Sequence, residues 1–248
     1  MNGGMYLSAS GAMVQQLRLE MLANNVANIN TIGYKGEKSV FRVSEAASST
    51  VQTLSEDETQ PLSPYAPPFE VMIDFSQGAL RQTGNALDVA ISGSGFFSVQ
   101  TPDGVQYTRQ GSFTLDEDGN LVTPDGYAVL GEGGPINLEE GQVQIDLEGT
   151  IFVDGDEVGQ LQVTEFADPS VLEKSGNGRF SLTDGAAAGQ RPEFVEVNQG
   201  YLEAANVNTI QAMTEMIETS RAFEAYQKVI QTADEATSTS INDVGKSV

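Results

Sequence analysis

Glycine-rich turns and clustered carboxylates are the places where this sequence could do chemistry. ISGSGFF, residues 91 to 97, carries Gly93 and Gly95 in a spacing that superficially resembles a phosphate-cradling loop. Such a loop needs a Gly-Lys-Ser/Thr ending and a following helix, so that backbone N–H groups converge on the anion. Neither is present, and the stretch reads as a β-turn. Asp116, Glu117, Asp118 and Asn120 form one oxygen-rich group, and Asp154, Asp156 and Glu157 a second. Calcium takes about six to eight oxygens from a loop of fixed spacing; neither group has that spacing, so both read as turns, with a weak structural cation as the alternative. Paired carboxylates could do acid–base work in any chain with 35 of them, but nothing here singles out a pair. Histidine and cysteine are absent, which removes the commonest metal ligand, the usual general base and every thiolate. No Ser–His arrangement can exist, and a Ser–Lys dyad has no supporting context. The expectation is a protein that is not an enzyme, with no catalytic residue, no cofactor and no metal.

The charge balance narrows the partners. There are 35 acidic residues against 12 basic ones, a formal net charge of −23. Nucleic acid and an acidic membrane surface would both be repelled. Copies of the chain would also repel one another, so salt should favour any assembly; an acidic, salt-adapted proteome is the alternative source of the charge. The opening MNGGMYLSASGAM lacks a basic start and a long apolar run, and no stretch approaches 18 apolar residues. No cleaved signal peptide, no membrane insertion and no small-molecule substrate are expected. By ordinary reading the protein is cytoplasmic, unless a specialised export route carries it.

The elements that position these residues fall into a simple order. Residues 4 to 28 read as a helix, with Met5, Ala9, Ala12, Met13, Leu17, Met21 and Asn24 on one side and Leu19, Leu22 and Val26 adding a second strip. ANNVANINTIGYK then breaks the pattern. Asn24 and Asn25 fit the helix and are expected to hydrogen-bond to neighbouring backbone or polar groups, Asn28 and Asn30 help end it, and Gly33 supplies a turn. Residues 39 to 43 alternate as a short strand, residues 44 to 60 read as linker, and PLSPYAPP, 61 to 68, holds four prolines. From about 70 to 195 short β-like runs alternate with Gly/Asp turns. SGNGRFSLTDGAAAGQ, 175 to 190, reads as a long loop. Residues 206 to 236 form the clearest helix, with Ile210, Met213, Ile217, Ser220, Phe223 and Gln227 on one line and Met216, Phe223, Tyr226 and Ile230 on a neighbouring one; the tail after Thr237 reads as frayed.

The fold class expected is mainly β: an all-β central domain flanked by N- and C-terminal amphipathic helices that pack together or with neighbouring subunits. The domains are 1–36, an N-terminal helical assembly segment; 37–69, an extended linker; 70–195, the β-rich domain; and 196–248, a C-terminal helical segment and tail. Met13, Leu17, Met21, Asn24, Asn25, Asn28, Asn30, Ile210, Met213, Ile217, Phe223, Tyr226 and Ile230 are the candidate assembly interface. Two plainer readings stand beside it. Both helices could pack on the sheet of one monomer, or self-pair beside a binding or adhesion-type β domain.

SASGAMVQQLRLEMLANNVANINTIGYK, ending at Lys35, resembles the signature segment of the bacterial flagellar rod and hook family. Ser10, Gly11, Gln15, Gln16, Leu17, Leu22, Ala23, Asn24, Asn25, Ala27, Asn28, Asn30, Thr31, Gly33 and Lys35 match it, and Tyr34 stands where the family usually has phenylalanine. Three further blocks, Asp74 to Gln100, Tyr107 to Gly131 and Val197 to Glu235, extend the resemblance over nearly the whole chain. The resemblance implies export by the flagellar type III apparatus without a cleaved signal. It implies assembly, with itself and other rod subunits, into the periplasmic helical rod that transmits torque from motor to hook. The terminal helices of neighbouring copies would form an inner tube, with the β domains outside. Length, the single β domain and the opening residues look more like the family's proximal-rod members than its distal-rod ones.

Overall fold

The computed structural model describes residues 2–41, 69–139, 141–183 and 185–245. The linker expected at 44 to 68 lies outside the described residues. The chain divides into two compact units: Met1–Val26 with Glu37–Met72 and Thr209–Val248, and Ala27–Gly36 with Ile73–Asn208.

The first unit is helical. Helix α1 spans Asn2–Ala27 and helix α2 spans Thr209–Gly245, and the two pack against each other. Straight-chain and alanine residues dominate α1, which suits a helix. Gly11 permits close approach: a Cβ there would lie 2.7 Å from Cε1 of Tyr226 on α2. Strands Glu37–Phe41 and Phe69–Ile73 form a two-stranded sheet. The tail expected to fray after Thr237 is helical to Gly245. Its hydroxyls are satisfied within the helix rather than competing with it: Thr237 donates to Ala233 O at 2.8 Å and Thr239 to Glu235 O at 2.9 Å.

The second unit is β. A nine-stranded sheet has Phe96–Thr101 at its centre, hydrogen-bonded to Gly104–Thr108, Ala128–Gly131 and Val163–Thr164. A three-stranded sheet carries Val143–Ile145, Thr150–Val153 and Asp156–Gln160. Ladders of this unit are antiparallel. Val89, Ile91, Phe97, Val99, Phe113, Leu121, Val129, Ile151, Leu161 and Val197 fill the main core, and Phe96, Phe166, Leu172 and Phe180 a second cluster. The turn Asp154–Gly155 has positive φ at both residues, 53° and 97°, as a two-residue hairpin requires.

Two boundaries differ from the sequence expectation. Residues 175 to 190 are not one long loop. Leu172–Gly176 and Arg179–Leu182 form a hairpin around Asn177–Gly178, and Phe180 is buried. The Asn-Gly pair takes φ of 48° and 70°, the left-handed geometry that makes this dipeptide a strong hairpin signal. The β unit also runs past 195 to Asn208. Glu196–Gln199 pairs with Val89–Ser92, and Tyr201–Glu203 with Leu80–Gln82, before α2 begins.

Candidate assembly surfaces and the buried ion cluster

Each helix of the first unit has one covered face and one bare apolar face. On α1, Gly11, Val14, Met21, Leu22 and Asn25 share a side by helical spacing, and Val14, Met21, Leu22 and Asn25 are buried. Tyr6, Met13, Leu17 and Asn24 share a different side and are exposed, Met13 to 67%. On α2, Ala212, Met216, Thr219, Phe223, Tyr226 and Ile230 form the covered side; Ala212 and Thr219 are buried and the others half-buried. Nearly opposite, Ile210, Met213 and Ile217 are exposed to 79%, 49% and 56%. Large apolar groups left in water on one helix face lose about 1.5–3 kcal/mol each relative to full burial. Met13 and Leu17 on α1 and Ile210, Met213 and Ile217 on α2 make these two faces exposed apolar surfaces of the helical unit.

The candidate interface residues therefore separate into two sets. Met13, Leu17, Ile210, Met213 and Ile217 lie on the bare faces; Met21 is buried, and Phe223, Tyr226 and Ile230 are half-buried. The asparagines separate as well. Asn25 is buried and makes a two-way clamp, its Nδ2 donating to Glu37 O at 2.8 Å and its Oδ1 accepting from Glu37 N at 2.9 Å. It ties the end of α1 to the first strand of the same unit. Asn24 is exposed. Asn28 and Asn30 lie in the turn after α1, where Thr31 N donates to Asn28 O at 3.0 Å and Thr31 Oγ1 to Asn28 Oδ1 at 3.3 Å. Tyr6 and Leu7, exposed on α1, and Val229, exposed on α2, were not among the candidates. Tyr6 sits seven residues before Met13 and was open to the same spacing argument.

The turn after α1 enters the β unit, where Gly33 has φ +66°, and a Cβ there would lie 2.4 Å from the backbone of Arg109. Beside it sits a cluster that sequence reasoning missed. Glu203 Oε1 accepts from Lys35 Nζ at 2.7 Å and from Gly78 N at 2.8 Å, and Oε2 accepts from Arg109 at 3.1 Å. All three side chains are buried, at 1% exposure for Lys35 and Glu203 and 3% for Arg109. Two cations meet one carboxylate, and backbone carbonyls take further donors, Ser76 O from Lys35 at 2.8 Å and Gly93 O from Arg109 at 2.7 Å, while the buried Arg109 Nε has no partner among the described residues. Burial pulls both Lys35 and Arg109 below their usual pKa, with Glu203 opposing. Lys35, Arg109 and Glu203 each fall inside a block that resembles the rod and hook family, and no local spacing relates them.

The stretches first weighed for chemistry have structural uses. Gly93 and Gly95 link strand Val89–Ser92 to Phe96–Thr101 with φ of 101° and 126°, and Gly93 O faces Arg109. The Asp116 carboxylate accepts from Asp118 N at 2.9 Å, Asn120 N at 2.7 Å and Asn120 Nδ2 at 2.9 Å, so it caps its own turn. Bonds from Asn120 lead the causes that hold its pKa below the ordinary carboxylate value.

Comparison with known proteins covers the same blocks. Residues 5–35 match the family described as "Flagella basal body rod protein", residues 90–153 the "Flagellar hook protein FlgE/F/G D1 domain", and residues 198–243 the "Flagellar basal body rod FlgEFG protein C-terminal". The flagellar basal-body rod protein FlgG of Agrobacterium fabrum is 36% identical, over 94% of this chain and 95% of its own. FlgF of Caulobacter vibrioides is 33% identical over 99% of both, and FlgF of Rhizobium meliloti 35% identical over the full length of both. These matches show that the chain belongs to the flagellar basal-body rod and hook family, the FlgE/F/G group.

Proposed function

We propose that this chain is a structural, non-catalytic subunit of the flagellar rod, held in the rod by the bare apolar faces of α1 and α2. The observation that carries the reading is the pairing of those two faces, Met13 and Leu17 on one helix and Ile210, Met213 and Ile217 on the other, with a covered side on each. A monomer leaves them in water; stacked copies cover them. Helix α1 holds a single acid and a single base, Glu20 and Arg18, in a chain of net charge −23, so copies can approach along it with little repulsion. Among the described residues no helix is long and apolar enough to cross a membrane. On this reading the subunit leaves the cell interior by the flagellar type III route and works in the periplasm, passing torque from motor to hook.

Within the group we infer the proximal-rod type, FlgF. Its support is the end-to-end match to two FlgF chains. The distal type, FlgG, is the second reading, favoured by the 36% identity to the Agrobacterium protein. Leu17→Glu and Ile217→Glu test the interface: each variant should be made and folded yet absent from purified rods. Rods containing either variant at the wild-type level would refute it. Restoration of swimming in a strain lacking FlgF, but not in one lacking FlgG, would support the finer reading; the reverse would replace it.

A further inference from the structure

Asn206 stands where three segments of the β unit run side by side. Its Oδ1 accepts from Gly36 N at 2.8 Å, and its Nδ2 donates to Asp74 O at 2.7 Å and Ser76 O at 3.0 Å. Its own N–H donates to Tyr34 O at 3.4 Å, and Asp74 N closes the ring onto Gly36 O at 2.8 Å. One side chain thus joins residues 34–36, 74–76 and 206. These segments lie at three of the four places where the chain crosses the boundary of the β unit, after Gly36, before Ile73 and after Asn208; the fourth falls between Val26 and Ala27. The Lys35–Glu203–Arg109 cluster backs the same three segments: Lys35 reaches Ser76 O, Glu203 takes Gly78 N, and Gly33 N donates to Glu203 O at 2.8 Å. Gly78 has no room for a side chain, since a Cβ would lie 1.9 Å from Ala204 O.

We propose that Asn206 is a positioning residue that cross-bonds three of the four crossings of the β-unit boundary into one stiff neck, so that force entering the unit through any of these three is shared among them. A chain that crosses singly can swivel about its own φ and ψ; segments fixed to each other by an amide and a buried charge cluster cannot turn independently. The mechanical consequence rests on the rod reading above. The geometry of the clamp does not.

The test uses the full-length chain, kept monomeric, with amide hydrogen exchange read residue by residue. Asn206→Ala should speed exchange at Gly36 about tenfold, the loss of roughly one net hydrogen bond. Exchange at Asp74 should rise with it, while the core strands Phe96–Thr101 and Ala128–Gly131 stay as slow as in the wild type. Asn206→Asp keeps an acceptor for Gly36 N but loses both donors, so Gly36 should return toward the wild-type rate while Asp74 stays fast. Unchanged Gly36 exchange in Asn206→Ala, or identical behaviour of the two variants there, would overturn the clamp. In cells, Asn206→Ala rods should form in normal number with a larger torsional compliance in tethered-cell rotation. Normal compliance beside faster exchange would overturn the mechanical role and leave the rod reading standing. Absence of the wild-type chain from rods would sink the rod reading, and the exchange result would still decide the clamp.

Discussion

Replacing Glu203 by Gln removes the carboxylate that both buried cations, Lys35 and Arg109, bond. The shape is nearly unchanged, and the new amide oxygen can still accept from Gly78 N, which Glu203 holds at 2.8 Å. What is lost is charge, with Lys35 and Arg109 left at 1% and 3% exposure. Breaking a buried pair by removing one partner costs about 3–5 kcal/mol, because the stranded charge keeps its desolvation penalty. Against a total stability of about 5–15 kcal/mol for a domain, that is a large share. Urea unfolding followed by far-ultraviolet circular dichroism should show the loss. Glu132→Gln, which breaks the exposed pair with Arg191, should cost at most about 1 kcal/mol and serves as the control. The pH dependence gives a second check. Burial depresses the Lys35 pKa, so between the depressed value and 10.5 the unfolded chain binds more protons than the folded one, and stability contributed by this group rises with pH. Glu203 is the main influence opposing that depression, so its removal enlarges the effect. The deficit of the variant should therefore narrow as pH rises from neutral toward 10.5. A loss below about 1 kcal/mol, or a deficit that does not narrow, would refute the assignment of a stabilising buried carboxylate.

Other outcomes follow from the same geometry. Gly33→Ala forces a side chain into φ +66° and onto the Arg109 backbone at 2.4 Å; a loss of at least about 1–3 kcal/mol is expected in chemical denaturation, and wild-type stability would count against it. Asp116→Asn should lower stability near neutral pH, since the lowered Asp116 pKa means a contribution present above the ordinary carboxylate range and lost as pH falls through the folded value; a difference from wild type that persists in strong acid would contradict this. Raising the ionic strength from about 0.15 M to 1 M shortens the screening length from about 8 Å to 3 Å, so light scattering should show more assembly of this chain of net charge −23; dissolution by salt would argue that ion pairs, not apolar faces, hold copies together.

Periodicity made the helices and the β class legible, because a 3.6-residue or two-residue repeat is a local property. Spacing places Ile210, Met213, Ile217 and Phe223 on one line; the first three lie on one exposed face, whereas Phe223 is half-buried on the covered side. Spacing could not say which apolar line is covered. Met21 and Tyr226 looked like Met13 and Ile217 in the sequence, yet Met21 is buried and the Tyr226 ring lies where a Gly11 Cβ would be. Asn25 was rightly kept in the helix, but its partner, the Glu37 backbone, depends on where the chain turns after Ala27. The Asn177–Gly178 pair is a local hairpin signal, masked by the Gly and Ala residues that crowd the sequence after it. Lys35, Arg109 and Glu203 meet across separations that no local pattern encodes; only the matching of whole blocks hinted that these charges matter.

Quantitative mass spectrometry of hook–basal bodies purified from the source bacterium tests the rod assignment most directly. The expected result is this chain in a small, fixed ratio to the other rod proteins, falling to background in cells that carry only the Ile217→Glu variant. Intact basal bodies that lack the wild-type chain altogether would contradict the assignment.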